Sequence, residues 1–299
     1  MSASQWAQFM IDLLSLGSLY ALMALGLVIV YGILRLVNFA YGELIMVAGY
    51  TLYLLNGSPL PWLVMAALAI LAAVATSLLT EWAAFRPIRA QSLTAMLITS
   101  FAVSTLLQNA ALLFISPRAR LVPMPELFSE SVHLAGVVTP ARNLIAIAVS
   151  ILLLLLLTLL MKRTTLGIAL RAAAAHFDMT RMLGVPANLI ISAAFAISGL
   201  LAGVVALFWL GRIGSVTPTI GLEPLLVAFI ATVIGGMRSL AGAVIGGYGL
   251  AVIDVSLNQF LPPALLAFRD AFTFSLVILI LLVRPEGLIR GSATGLRAG

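Results

Sequence analysis

Residues 161–187 read MKRTTLGIALRAAAAHFDMTRMLGVPA. The stretch holds Lys162, the only lysine of the chain, with Arg163, Arg171, Asp178 and Arg181, between the oily runs 143–161 and 188–209. Charged side chains are costly inside a bilayer, so a polar island between two such runs belongs in water beside the membrane. Ala172–Ala175 is a strong helix former. Leu170, Met179 and Leu183 supply an apolar side, and Gly184-Val185-Pro186 stops the run. The stretch predicts one amphipathic helix of about four to five turns. Two uses fit such a helix: a groove in a soluble partner, or a bed of lipid headgroups.

The chain around the island is 63% hydrophobic and 9% charged over 299 residues, with a mean hydropathy of +1.18. Soluble domains are about a quarter charged, so a soluble core is excluded. Residues 13–34, 44–80, 90–117, 143–161 and 182–211 carry no Asp, Glu, Lys or Arg. A helix needs about 20 apolar residues to cross the hydrocarbon core. These runs predict an all-α polytopic membrane protein with eight to nine transmembrane helices, some short or broken. The expected spans are 10–34, 40–55, 60–82, 94–115, 143–161, 188–209, 223–236, 241–258 and 267–283. They form a single transmembrane domain, 1–299, with 162–187 a cytoplasmic segment inside it. The start, MSASQWAQFM, lacks a positive n-region, so the first apolar run is expected to stay as a span.

Two of these spans are short. Residues 40–55 end at the turn signal Asn56-Gly57-Ser58-Pro59, and 223–258 is split at Gly235-Gly236-Met237-Arg238-Ser239. Both are candidates for broken or re-entrant helices, which occur only where protein or a cavity surrounds them. With the N-terminus outside, 11 of the 16 basic residues fall on the cytoplasmic side and 5 outside, as the positive-inside rule asks. If 40–55 fails to cross, eight spans remain and the N-terminus moves inside.

Several chemistries are missing. There is no cysteine, and His133 and His176 lie far apart, so thiolate and metal sites are not expected. A phosphate-binding loop needs G-x-x-x-x-G-K-[ST], and Lys162 follows Met161 instead. Any ATP must therefore be used by another polypeptide; this chain is expected to bind no cofactor and to be no enzyme. The net charge of +6 comes from arginines at span ends, which argues for membrane lipid rather than nucleic acid as its surroundings. Most of the ten acids sit at expected span ends or in loops, where water solvates them. That lowers the case for an ion-coupled carrier, which places ionisable groups near the midplane; Glu43 and Asp254 are the candidates.

Three groups suggest a solute pathway. Asn38, Phe39, Tyr41 and Glu43 lie where the first two spans join; they either contact a solute or cap the next helix. Thr94, Thr99, Ser100, Ser104, Thr105, Gln108 and Asn109 make 94–115 unusually polar, and the amides Gln108 and Asn109 serve interhelical bonding or a ligand. Gly235, Gly236, Ser239 and Gly242 allow close helix packing or a broken helix beside a binding site.

Read in order, five blocks bring a resemblance. They are Gly17-Ser18-Leu19-Tyr20-Ala21-Leu22 through Asn38-Phe39-Ala40-Tyr41-Gly42-Glu43, then Gly167-Ile168-Ala169-Leu170-Arg171-Ala172, then Gly184-Val185. Gly235 through Gly247 and Arg284-Pro285-Glu286-Gly287-Leu288 complete the set. Across nearly the whole chain this resembles the LivH-type permease subunits of branched-chain amino acid ABC importers. The resemblance implies a pore-forming subunit of the bacterial inner membrane, a second related permease subunit or a copy of itself, and two ATPase subunits. It also implies a periplasmic or lipoprotein substrate-binding protein. The family's ATPase-coupling segment matches Arg171, Ala172, Ala175, Asp178, Arg181 and Gly184 here. Tyr41 stands where histidine is frequent and Met237-Arg238 where glycine is expected, so urea or short amides stay open as substrates. A self-sufficient secondary carrier or channel is the alternative from another class.

Overall fold

The computed structural model describes residues 3–89, 91–122, 124–134, 137–237, 239–284 and 287–288. Arg238, Pro285, Glu286, Arg290 and Arg297 lie outside the described residues, as does the side chain of Asp178. The chain is a helical bundle, and among the described residues seven helices are long and apolar enough to cross a membrane. In chain order the helices are α1 Ala3–Leu34, α2 Tyr41–Leu54, α3 Trp62–Ile88 and α4 Leu93–Phe114. After the short α5, Glu126–Ser129, come α6 Ala141–Arg163, α7 Thr165–Ala175, α8 Phe177–Met182 and α9 Ala187–Ile213. The last three are α10 Leu222–Gly235, α11 Leu240–Phe260 and α12 Arg269–Val283.

The bundle has two ends. At one, Arg35 donates to the Ala174 carbonyl at 2.7 Å and Arg89 donates to Asn188. At the other, β1 Arg120–Leu121 pairs with β4 Ser215–Val216, and β2 Ser131–Leu134 forms a hairpin with β3 Val137–Pro140. Arg35, Arg86, Arg89, Lys162, Arg163, Arg171, Arg181 and Arg284 gather at the first end, called the basic face below. Arg118, Arg120, Arg142, Arg212 and Arg269 lie toward the far face. Among the described residues, this is the partition that the sequence predicts.

Apolar surface sorts the helices. α1 and α9 are buried along most of their length, whereas α4, α6 and α12 expose most of theirs, as lipid-facing helices do. Close approach at the centre depends on glycine. A Cβ at Gly17 would overlap the Tyr248 ring, and one at Gly247 the Ala21 backbone, which locks α1 to α11. Gly199 and Gly203 press α9 onto Val74 and Ile70 of α3 in the same way.

These two contacts belong to a repeat. A long helix, an extended approach, a half-length helix and another long helix occur twice: α1, α2, α3, and again α9, α10, α11. α1 runs from the far face to the basic face, and α9 runs back. The two triads therefore pass through the bundle in opposite senses, the arrangement of an inverted repeat.

Both short spans have 14 residues, about 21 Å of helix, too little for a hydrocarbon core of about 30 Å. The extended segments before them supply the rest. From Arg35 the chain climbs to Tyr41, whose ring lies against Gly26 of α1, and α2 then continues to the far face, where Gly49 meets Leu210 and Val216. Residues 35–54 thus pass through in two parts, and the reading with eight spans is not what the fold adopts.

Segment 162–187 departs from expectation. It is two helices, α7 and α8, broken at His176, whose backbone is extended (φ −144°, ψ 91°). Thr164 caps α7 by accepting from the Gly167 N–H at 3.0 Å. Gly167 packs against the Leu160 carbonyl, so α7 folds back under α6 instead of running on as one rod.

Candidate functional site

Glycine again decides where the half-helices begin. A Cβ on Gly42 would overlap the Gly221 carbonyl oxygen, and one on Gly221 would overlap that of Gly42. α2 and α10 therefore start side by side inside the bundle and diverge, α2 toward the far face and α10 toward the basic face. Each start carries unpaired N–H groups and the positive end of a helix dipole, and each has an acid in its first turn, Glu43 and Glu223.

Glu43 is fully buried. Its Oε1 accepts from Ser104 at 2.9 Å and from Gln108 at 2.7 Å, both on α4. Gln108 and Ser104 also approach each other at 3.3 Å. Glu43 Oε2 and the Tyr41 hydroxyl have no hydrogen-bond partner among the described residues. Buried polar atoms normally find partners, and these two lack one beside the two helix starts. Phe39 stacks on Phe101 at 4.0 Å and forms an apolar side.

The structure thus brings Asn38, Phe39, Tyr41, Glu43 and Gln108 into one neighbourhood. The capping reading is corrected for Glu43: its carboxyl group points to α4, and the helix-initiating residue, Ala40, has no side-chain cap. Asn38 Oδ1 accepts from the Ala40 N–H at 3.1 Å, a local turn before the helix. Asn109 is apart from the group. It is exposed and bonds the Thr105 carbonyl of its own helix.

Gly235, Gly236, Ser239 and Gly242 form a second place, at the basic face. Gly235 and Gly242 are in backbone contact, Ser239 caps α11 by accepting from the Gly242 N–H at 3.0 Å, and Gly236 turns the chain with φ 105°. Gly287 lies against this turn, and Leu288 N–H donates to Ile234 at 2.7 Å. The turn is several helical turns from Gly42.

Among the described acids, Glu126, Glu130, Glu223 and Asp270 are exposed as the sequence predicts, and Glu81 departs from that expectation. Glu81 is buried and accepts from Ser192 at 2.9 Å, in a π-helical turn Glu81–Phe85 of α3. Asp254, on α11, accepts from Tyr20 of α1 and from Thr273 of α12 at 3.2 Å. Gly221 is missing from the sequence reading, and Ser104 stands there only as one of the polar residues of 94–115, not as a site residue. Ser104 sits one turn before Gln108, a helix-face signal that was available; the Gly42–Gly221 contact, between distant residues, was not.

At the basic face, Arg171, Ala172, Ala175, Arg181 and Gly184 are exposed, and Gly184 ends α8 with φ 85°. Leu170 and Ala173 are buried beneath them, while Met179, Met182 and Leu183 project outward. Arg35, itself left-handed at φ 57°, ties this layer to the end of α1 through Ala174.

Residues 9–283 match the family model described as branched-chain amino acid transport system, permease component. The chain belongs to that family. It is therefore a transport permease component, and among the described residues seven of its helices are long and apolar enough to cross a membrane. It is 34% identical over 302 residues to the high-affinity branched-chain amino acid transport system permease protein BraD of Pseudomonas aeruginosa, covering 95% of each chain. To the LivH permease of Escherichia coli it is 33% identical over 297 residues, 94% of each. A shorter stretch, 32% of this chain and 26% of its counterpart, is 31% identical to the xylose transport system permease protein XylH of Escherichia coli. No solved structure matches the chain.

Proposed function

We propose that this permease forms the translocation pathway of an ATP-driven importer for branched-chain or similar small amino acids in the bacterial cytoplasmic membrane. The observation that carries the proposal is the junction of α2 and α10, where two half-helix starts meet beside the buried Glu43–Ser104–Gln108 group. An amino acid presents a carboxylate, an ammonium and here an apolar side chain. The positive helix starts and the Gln108 amide suit the carboxylate. The unpartnered Glu43 Oε2 suits the ammonium, and Phe39 with Phe101 suits the side chain.

The basic face is the cytoplasmic one under the positive-inside rule. There α7 and α8 would meet a separate ATPase subunit, with Arg171, Ala172, Ala175, Asp178, Arg181 and Gly184 at or beside the contact. The far face, with its hairpin and its ribbon of β1 and β4, would receive a substrate-binding protein. A second permease subunit, related or identical, completes the pathway. ATP is used by the partner; this chain binds no cofactor in the proposal.

Competition tests the substrate class. Uptake of labelled leucine by cells carrying the complete importer should be suppressed by unlabelled leucine, isoleucine and valine and not by urea or acetamide. Suppression by urea or acetamide alone would move the proposal to the amide-transporting alternative.

A further inference from the structure

An apolar groove of 310 Å³ lies between α1, α6 and α11. Leu25, Leu154, Leu157 and Val244 form its walls, and Lys162 and Arg171 stand at its end toward the basic face. Leu159 and Ile245, on two of the helices that line it, are exposed apolar residues of the lipid-facing surface. No acid lines the groove. The side chains of Lys162 and Arg171 are exposed, and neither has an ion-pair or hydrogen-bond partner among the described residues.

We propose that the groove binds one anionic phospholipid, an acyl chain between the walls and the headgroup phosphate between Lys162 and Arg171. The chemistry of the two ends is that of an amphiphile. Basic residues between helices at the cytoplasmic side attract anionic headgroups, and a cavity of this size is within the range of small-ligand sites. A solute without an apolar tail leaves the walls wet, and a zwitterionic lipid brings an ammonium of its own to a place that already holds two cations. Arg171 stands on α7, the first helix of the cytoplasmic layer, so a bound headgroup holds that layer to α6 and α11 from outside. The proposal does not rest on the pathway reading and is tested without transport.

The permease, purified with whatever subunits accompany it, is placed in nanodiscs of phosphatidylethanolamine. These carry a minor fraction of photoactivatable phosphatidylglycerol or, in parallel, phosphatidylcholine with the same acyl chain. Phosphatidylglycerol should label peptides around Leu157 and Val244, and phosphatidylcholine should not. K162Q/R171Q should lower that labelling on the order of tenfold, and Leu157→Trp, which fills the groove with both charges in place, should abolish it. Equal labelling by the two lipids, or labelling indifferent to both variants, overturns the proposal. So does competition by millimolar inorganic phosphate, which would make the site one for a free anion. Complete protection of the groove by an accompanying subunit overturns it as well.

Discussion

Ser104 and Gln108 hold Glu43 by single hydrogen bonds between helices. In lipid such bonds contribute about 0.6 kcal/mol on average. Removing one should therefore barely move stability. Ser104→Ala and Gln108→Leu are expected to assemble normally and to shift the melting temperature little, while leucine uptake falls about tenfold or more, a barrier change of about 1.4 kcal/mol. Equal losses of assembly and uptake would make the group structural. Gly42 is the opposite case. A β-branched side chain there drives into the Gly221 carbonyl, an overpacking that costs about 1–3 kcal/mol or more, so Gly42→Val should lower the yield of folded permease as well as its activity. Gly249 has open space around its Cβ position and lies mid-helix. Gly249→Ala should be tolerated and should raise thermal stability by up to about 1 kcal/mol of helix propensity.

Half-helices and the broken cytoplasmic layer are the elements that matter. Arg35 fastens α7 to α1 through one charge-assisted bond at 2.7 Å. Arg35→Gln should leave the bundle intact and weaken the link between ATP hydrolysis and uptake, read as a lower ratio of leucine imported to ATP consumed. Charge reversal at Arg171 and Asp178 should either lose the ATPase subunit on co-purification or leave it hydrolysing without transport. Normal values of both would remove this segment from the coupling role. The two short spans were legible from length alone, because 14-residue helices bounded by Asn56-Gly57 and Gly235-Gly236 leave no other choice. Their mutual contact was not legible, since a backbone meeting between Gly42 and Gly221 leaves no periodic trace in either segment. The break at His176 was hidden for a related reason. The alanine run reads as helix, and the fold-back depends on Gly167 packing against the end of α6, a tertiary contact that overrides propensity.

At the scale of the whole molecule, two oppositely directed triads enclose a buried polar group that α4 closes with Ser104 and Gln108. The membrane class and the partition of basic residues followed from composition, because a bilayer penalises charge wherever it falls. A chain without a phosphate-binding loop lacks that means of using ATP itself. Reconstituted alone it should accumulate no leucine; with ATPase, second permease and binding protein it should do so only when ATP is inside. The account rests most directly on the α2–α10 junction being the solute route. The chain contains no cysteine, so Ala40→Cys places a single thiol at the start of α2. Its rate of modification by a membrane-impermeant thiol reagent should change between the ATP-free and ATP-bound importer and should fall when leucine is bound. A thiol that reacts at one rate in every state, with or without leucine, would contradict the account.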